Sequence, residues 1–124
     1  MSQRILVVDD EAMVKDLARD ILKRHGYTVL TAGGGGEAVE LYRRHKGSIA
    51  VVVLDILMPG VDGREAFRRI REIDPAARVV VSSGYGQTKD AEGLIGEGAA
   101  AFVQKPYRIR ELVIAVGEVI ERKD

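Results

Sequence analysis

Apolar positions along the chain follow two alternating patterns. Short runs rich in β-branched and small residues occupy positions 5–8, 27–31, 49–54, 78–81 and 100–103, each closing near a polar, Gly or Pro residue. Runs of this length and composition predict five strands. Between them lie amphipathic stretches. Val14, Leu17, Ala18, Ile21 and Leu22 recur at helical spacing, and Ile109, Leu112, Val113, Val116 and Ile120 repeat the stripe near the other end. A middle helix is expected over 64–73 and a fourth over 90–98. Positions 49–54 are apolar without alternation, as a central strand covered on both faces requires. Alternating strands and helices imply parallel pairing through crossover helices, so the fold class is α/β. A (β/α)8 barrel does not fit into 124 residues.

That length suits one domain, 1–124, with one core. Hydrophobic residues make up 46% and charged residues 31%, a globular balance. Lys plus Arg and Asp plus Glu each number 19, so no net charge remains to hold a polyanion or an anionic membrane. The expectation is a protein with no direct nucleic-acid or membrane partner. The absence of cysteine removes thiolate nucleophiles, disulfides and Cys-ligated metals. No apolar run is long enough for a membrane span or a signal-peptide core, which predicts a cytoplasmic protein.

In an open parallel sheet, ligands collect at the carboxyl ends of the strands. Asp9 and Asp10 follow the first strand and Asp55 follows the third, so three carboxylates converge there if those strands are neighbours. Acids this close repel one another unless a cation shares the site, and an oxygen-only donor set suits hard Mg²⁺. Ser82-Ser83-Gly84 ends the fourth strand and Lys105-Pro106 the fifth. A carboxylate nucleophile, a hard metal, a hydroxyl and an ammonium are the parts that stabilise a transferring phosphoryl group, and an aspartyl phosphate is the implied intermediate.

These motifs, Asp9-Asp10-Glu11, the segment from Asp55 through Met58-Pro59-Gly60 to Asp62-Gly63, Ser83-Gly84 and Lys105-Pro106, resemble those of response regulator receiver domains over essentially the whole chain. The resemblance implies a flavodoxin-like fold with a five-stranded parallel sheet in the order 2-1-3-4-5. It implies that Asp55 accepts a phosphoryl group from the phosphohistidine of a histidine kinase or phosphotransfer protein. Mg²⁺ is then ligated by Asp10, Asp55 and the Leu57 carbonyl, with Asp9 acting through water. Lys105 binds a phosphate oxygen, Ser83 moves in to bond the phosphate, and Phe102 matches the aromatic position that rotates behind it. Having no hydroxyl, Phe102 cannot form the outward hydrogen bond open to a Tyr. A downstream protein target, of unknown identity, completes the scheme. Leu57 and Tyr85 fall at the positions that set dephosphorylation. Neither is a strong base, so self-hydrolysis is expected to be slow. The run 82–86 with Lys105-Pro106-Tyr107 also looks like receivers attached to hybrid histidine kinases, so a standalone regulator and an excised receiver both stay open.

Other readings compete. A pseudo-receiver would bind partners without phosphorylation, and intact Asp10, Asp55, Ser83 and Lys105 argue against it. A flavin-binding protein of similar topology would set an anionic phosphate against three acids. An aspartate-nucleophile phosphatase would show Asp-x-Asp after the first strand. Elsewhere the bland reading prevails. Pro59 and Gly63 are expected to preset a turn and relieve backbone strain. Gly33 to Gly36 read as a mobile loop, and His25 and His45 as residues at helix C-termini without a catalytic role. Arg64, Arg68, Arg69 and Arg71 read as a solvated basic face. Gly93 and Gly96 weaken the fourth helix, or else serve close packing there.

Overall fold

The computed structural model describes residues 3–56, 63–84 and 88–122. Among these residues ten elements alternate: β1 Arg4–Val8, α1 Ala12–Arg24, β2 Thr28–Ala32, α2 Gly35–Arg44, β3 Ile49–Asp55, α3 Gly63–Ile73, β4 Val79–Ser83, α4 Thr88–Gly96, β5 Ala101–Gln104 and α5 Ile109–Glu121. The strands form one parallel sheet in the order β2-β1-β3-β4-β5. This is the flavodoxin-like α/β fold, with the order that the resemblance implied.

Strand alternation divides the core into two layers. Leu6, Val8, Val52, Leu54, Val79 and Val81 face one way and pack with Ala38, Phe67, Ile70 and Leu94 from α2, α3 and α4. Ile5, Val7, Val51, Val53 and Val80 face the other way, onto Ala18, Leu22, Leu112 and Val116 from α1 and α5. Because the inner strands are covered on both sides, every side chain from Val51 to Leu54 is buried. The burial accounts for the unalternating apolar run at these positions.

Several local expectations change once packing is seen. α2 begins at Gly35, so half of the glycine run is helical, and the Glu37 carboxylate reaches back to accept a 2.7 Å bond from the Gly33 N–H. That bond ties Gly33 to the first turn of α2. His25 and His45 do occupy the C-cap positions of α1 and α2. Arg64, Arg68 and Arg69 of α3 are exposed, as expected of a solvated face, and two of them also reach across to α4. Arg64 pairs with Asp90 at 3.3 Å and Arg68 bonds Glu97 through two nitrogens at 3.0 Å, so α3 and α4 meet along an ionic seam. Arg68 holds the Glu97 carboxyl below its usual range. Gly93 and Gly96 serve no close packing, since a Cβ at either would meet nothing within 4 Å. The weakness of α4 is therefore intrinsic, offset by burial of Ala91 and Leu94.

Gly63 also departs from expectation. Its φ is outside the left-handed region occupied by Gly26, Gly47 and Gly98. The requirement is steric: a Cβ would come within 2.7 Å of the Ile56 carbonyl oxygen and closer still to that of Asp55. The Gly63 N–H donates to Ile56 O at 2.8 Å, so α3 starts directly on the end of β3.

Candidate functional site

Register brings the acids together. Val8 pairs with Leu54, so the next residues on the neighbouring strands are Asp9 and Asp55. Carboxylate oxygens of Asp9, Asp10 and Asp55 all lie within 4.8 Å of one another. Asp9 and Asp55 are buried and Asp10 is exposed, so the cluster opens to solvent on one side. The backbone fixes its walls. Asp9 N–H donates to Ala32 O, Asp9 Oδ1 accepts from the Glu11 N–H at 2.9 Å, and Gly63 seats α3 against the Asp55 carbonyl.

Lys105 comes from the end of β5. Its N–H donates to Ser83 O at 2.8 Å, and its peptide bond to Pro106 is cis. The ammonium lies 3.0 Å from Asp9 Oδ2, 3.2 Å from Asp55 Oδ2 and 3.2 Å from Glu11 Oε1. Burial by itself would lower the Lys105 pKa. Contact with Asp9 and the charge of Asp55 outweigh that effect and hold it above its ordinary range.

The two serines separate by their partners. Ser82 Oγ accepts a 3.1 Å bond from the buried Tyr107 hydroxyl. Ser83 Oγ is buried without a hydrogen-bond partner, and Asp9 Oδ2, despite its ion pair, receives no well-directed hydrogen bond. Unfilled polar atoms are rare inside folded proteins. Here one belongs to the three-carboxylate cluster and the other is the hydroxyl of Ser83, and the donor chemistry fits a hard cation: Asp9, Asp10 and Asp55 supply the anionic oxygens that Mg²⁺ prefers.

Phe102 sits on β5 as a 39% exposed residue and lines a shallow groove of about 390 Å³ together with Ile114 and Ala115 of α5. The ring is therefore outward. Leu57 and Tyr85, together with Met58, Pro59 and Gly60, lie outside the described residues. Of the remaining residues singled out from sequence, the fold gathers Asp9, Asp10, Asp55, Ser83 and Lys105 at one sheet edge and leaves Phe102 on the β5–α5 surface. Sequence reasoning missed Glu11 as a partner of Lys105 and Tyr107 as a partner of Ser82. Both stand beside recognised motif residues, but their side-chain partners are distant in sequence. Among the described residues, no helix is long and apolar enough to cross a membrane.

Comparisons with known proteins agree with this geometry. The family profile described as response regulator receiver domain matches residues 5–117. The chain is 36% identical to the chemotaxis protein CheY of Bacillus subtilis over 97% of its own length and 99% of that protein's. It is 38% identical to the CheY of Thermotoga maritima, covering 96% and 98% of the two chains. The sensor kinase CckA of Brucella abortus is 32% identical over 99% of this chain, which spans 13% of that much longer protein. A receiver domain from Clostridium thermocellum superposes with a TM-score of 0.93 at 32% identity, over 98% of this chain and 96% of the other. Similarity from the first strand into the last helix, at both the sequence and the backbone level, places this chain in the response regulator receiver domain family of two-component signalling.

Proposed function

We propose that Asp55 is the phosphoacceptor of a Mg²⁺-dependent receiver whose phosphorylation switches a partner-binding surface. The observation that carries the reading is the convergence of the Asp9, Asp10 and Asp55 carboxylates at one sheet edge with the Lys105 ammonium set against two of them. A carboxylate oxygen of Asp55 attacks phosphorus, the phosphorus–nitrogen bond of the donor phosphohistidine breaks, and the imidazole leaves with its electron pair and takes a proton. The product is an aspartyl phosphate. Asp10 and Asp55, with Asp9 through water and the backbone carbonyl of Leu57, would hold Mg²⁺, which would supply neutralisation of the negative charge that gathers during transfer.

The chain's own residues do the rest. Lys105 supplies a fixed positive charge for a phosphate oxygen, and Ser83 Oγ has a hydroxyl to give. Phe102, outward in this state, is the ring that follows Ser83 inward and alters the groove with Ile114. α4 flanks the same side and is weak as an isolated helix, which makes it a responsive part of the surface. The phosphodonor is a histidine kinase or phosphotransfer protein, a reading supported by similarity to the sensor kinase CckA and to the sporulation initiation phosphotransferase F of Bacillus subtilis. The receiver of the switched surface is a protein target.

Intact mass after incubation with acetyl phosphate and Mg²⁺ tests the reading. The expected result is one added phosphoryl group that disappears in Asp55→Ala and in chelator. An adduct that persists in Asp55→Ala would reject the assignment. So would the lack of any adduct from both acetyl phosphate and a phosphorylated kinase domain, and either result would favour a module that signals without phosphorylation.

A further inference from the structure

Glu11 holds the N-cap position of α1, where short polar side chains normally bond the first free N–H groups of the helix. Its side chain makes no such bond. It turns instead to Lys105, 94 residues away in sequence, with Oε1 3.2 Å from the ammonium. Glu11 is outside the three-carboxylate cluster, and its side chain is 63% exposed, while those of Asp9 and Asp55 are almost wholly buried.

An ammonium has three hydrogens to donate; here its hydrogen bonds go to Glu11 Oε1 and Asp55 Oδ2, with Asp9 Oδ2 in an ion pair at 3.0 Å. Phosphorylation of Asp55 replaces its carboxylate charge by that of the phosphoryl group, whose oxygen needs one of those donors. Asp9 sits in the low-dielectric floor of the site, where loss of a cation leaves a buried charge uncompensated. The solvated Glu11 carboxylate gives up its partner at little cost. We infer that Glu11 is a positioning residue that competes with the phosphoryl group for Lys105: it holds the ammonium toward the open side of the site and is exchanged for a phosphate oxygen when Asp55 is modified. The inference rests on Asp55 as the phosphoacceptor. In the exchanged state Glu11 faces a phosphoryl dianion and swings away from it, so the N-terminus of α1 reports the state of the site.

Beryllofluoride, a phosphoryl stand-in, tests this by calorimetric titration with excess Mg²⁺ on the whole chain. Glu11→Gln removes the charge. Glu11→Asp keeps a charge at the mouth but is one methylene too short for the Lys105 contact. Competition for Lys105 predicts that both variants bind beryllofluoride roughly fivefold more tightly, the size of an ion pair with one exposed member. The gain shrinks in molar salt, and Mg²⁺ affinity alone moves by no more than about twofold because Glu11 is not in the carboxylate cluster. Unchanged or weaker binding in Glu11→Gln overturns the inference while leaving the receiver chemistry in place. A gain in Glu11→Gln that is absent from Glu11→Asp also overturns it, assigning the effect to simple repulsion of anions. If the folded parent chain binds no beryllofluoride, the phosphoacceptor reading fails and takes the inference with it.

Discussion

The two ends of the same five strands are finished in opposite ways. At the amino end, polar groups are paired with one another. Arg4 bonds Ser48 at 3.1 Å, the Tyr42 hydroxyl donates to Asp74 at 3.0 Å, and the Arg78 guanidinium donates to the carbonyls of Val119, Ile120 and Arg122. Burial and the Asp74 bond push the Tyr42 pKa above its ordinary range. At the carboxyl end, three acids share one lysine, and both buried side-chain atoms without a hydrogen-bond partner among the described residues, Asp9 Oδ2 and Ser83 Oγ, are found there. The difference teaches where the fold satisfies its own polar groups: among the described residues the amino end pairs side chains with side chains and helix carbonyls, whereas the carboxyl end gathers like charges around a single cation.

The comparison is broken most severely at Gly63. Its substitution by Ala drives a methyl into the backbone of β3, which cannot yield as a flexible side chain would, and should cost upwards of about 3 kcal/mol in urea unfolding. A loss below about 1 kcal/mol would show that the start of α3 can slide without penalty. Lys105→Met removes a cation held by two buried carboxylates and should cost roughly 2 kcal/mol in metal-free buffer, with most of the loss recovered by saturating Mg²⁺. Arg78→Ala should cost about 1–2 kcal/mol through the exposed helix carbonyls, and Mg²⁺ should leave that increment unchanged. Equal Mg²⁺ sensitivity of the two variants would erase the distinction between the ends.

A smaller effect comes from Tyr107. Burial pushes its pKa up to about 12, against the weaker opposing bond to Ser82. Because folding raises this pKa above its ordinary value near 10, the stabilisation is complete below that pH and is lost as pH rises through about 12. Spectrophotometric titration should show Tyr107 ionising after an ordinary exposed tyrosine, and Tyr107→Phe should remove one late-titrating group. Ionisation of Tyr107 near pH 10 in the folded chain would show that its hydroxyl is reached by water.

Much of this was legible in the sequence because strands report their own burial. The residues Ile49 to Leu54 spell a strand covered on both faces, and acids or lysine immediately after such runs must emerge at one edge once the pairing is parallel. Strand order was not contained in the periodicity and came from family motifs. What stayed hidden depends on contacts between distant segments. Nothing local to Glu11 announces Lys105, and nothing local to the exposed arginines of α3 announces Asp90 and Glu97 opposite them. The glycine run shows the same limit: composition counts the entropy of ordering Gly33 to Gly36 but not the Glu37 carboxylate that bonds Gly33.

The bonds from Arg78 to the end of α5 carry a mechanical consequence for anyone attaching a reporter there. The last carbonyls of the helix are claimed by a side chain from the start of β4, and at Arg122 the backbone already turns to an extended conformation, with its guanidinium on Ala100 O. A probe or module spliced after this point hangs from an extended tether rather than continuing the helix as a shaft. The helical path ends before residue 122, so a rigid attachment belongs within α5 rather than after it.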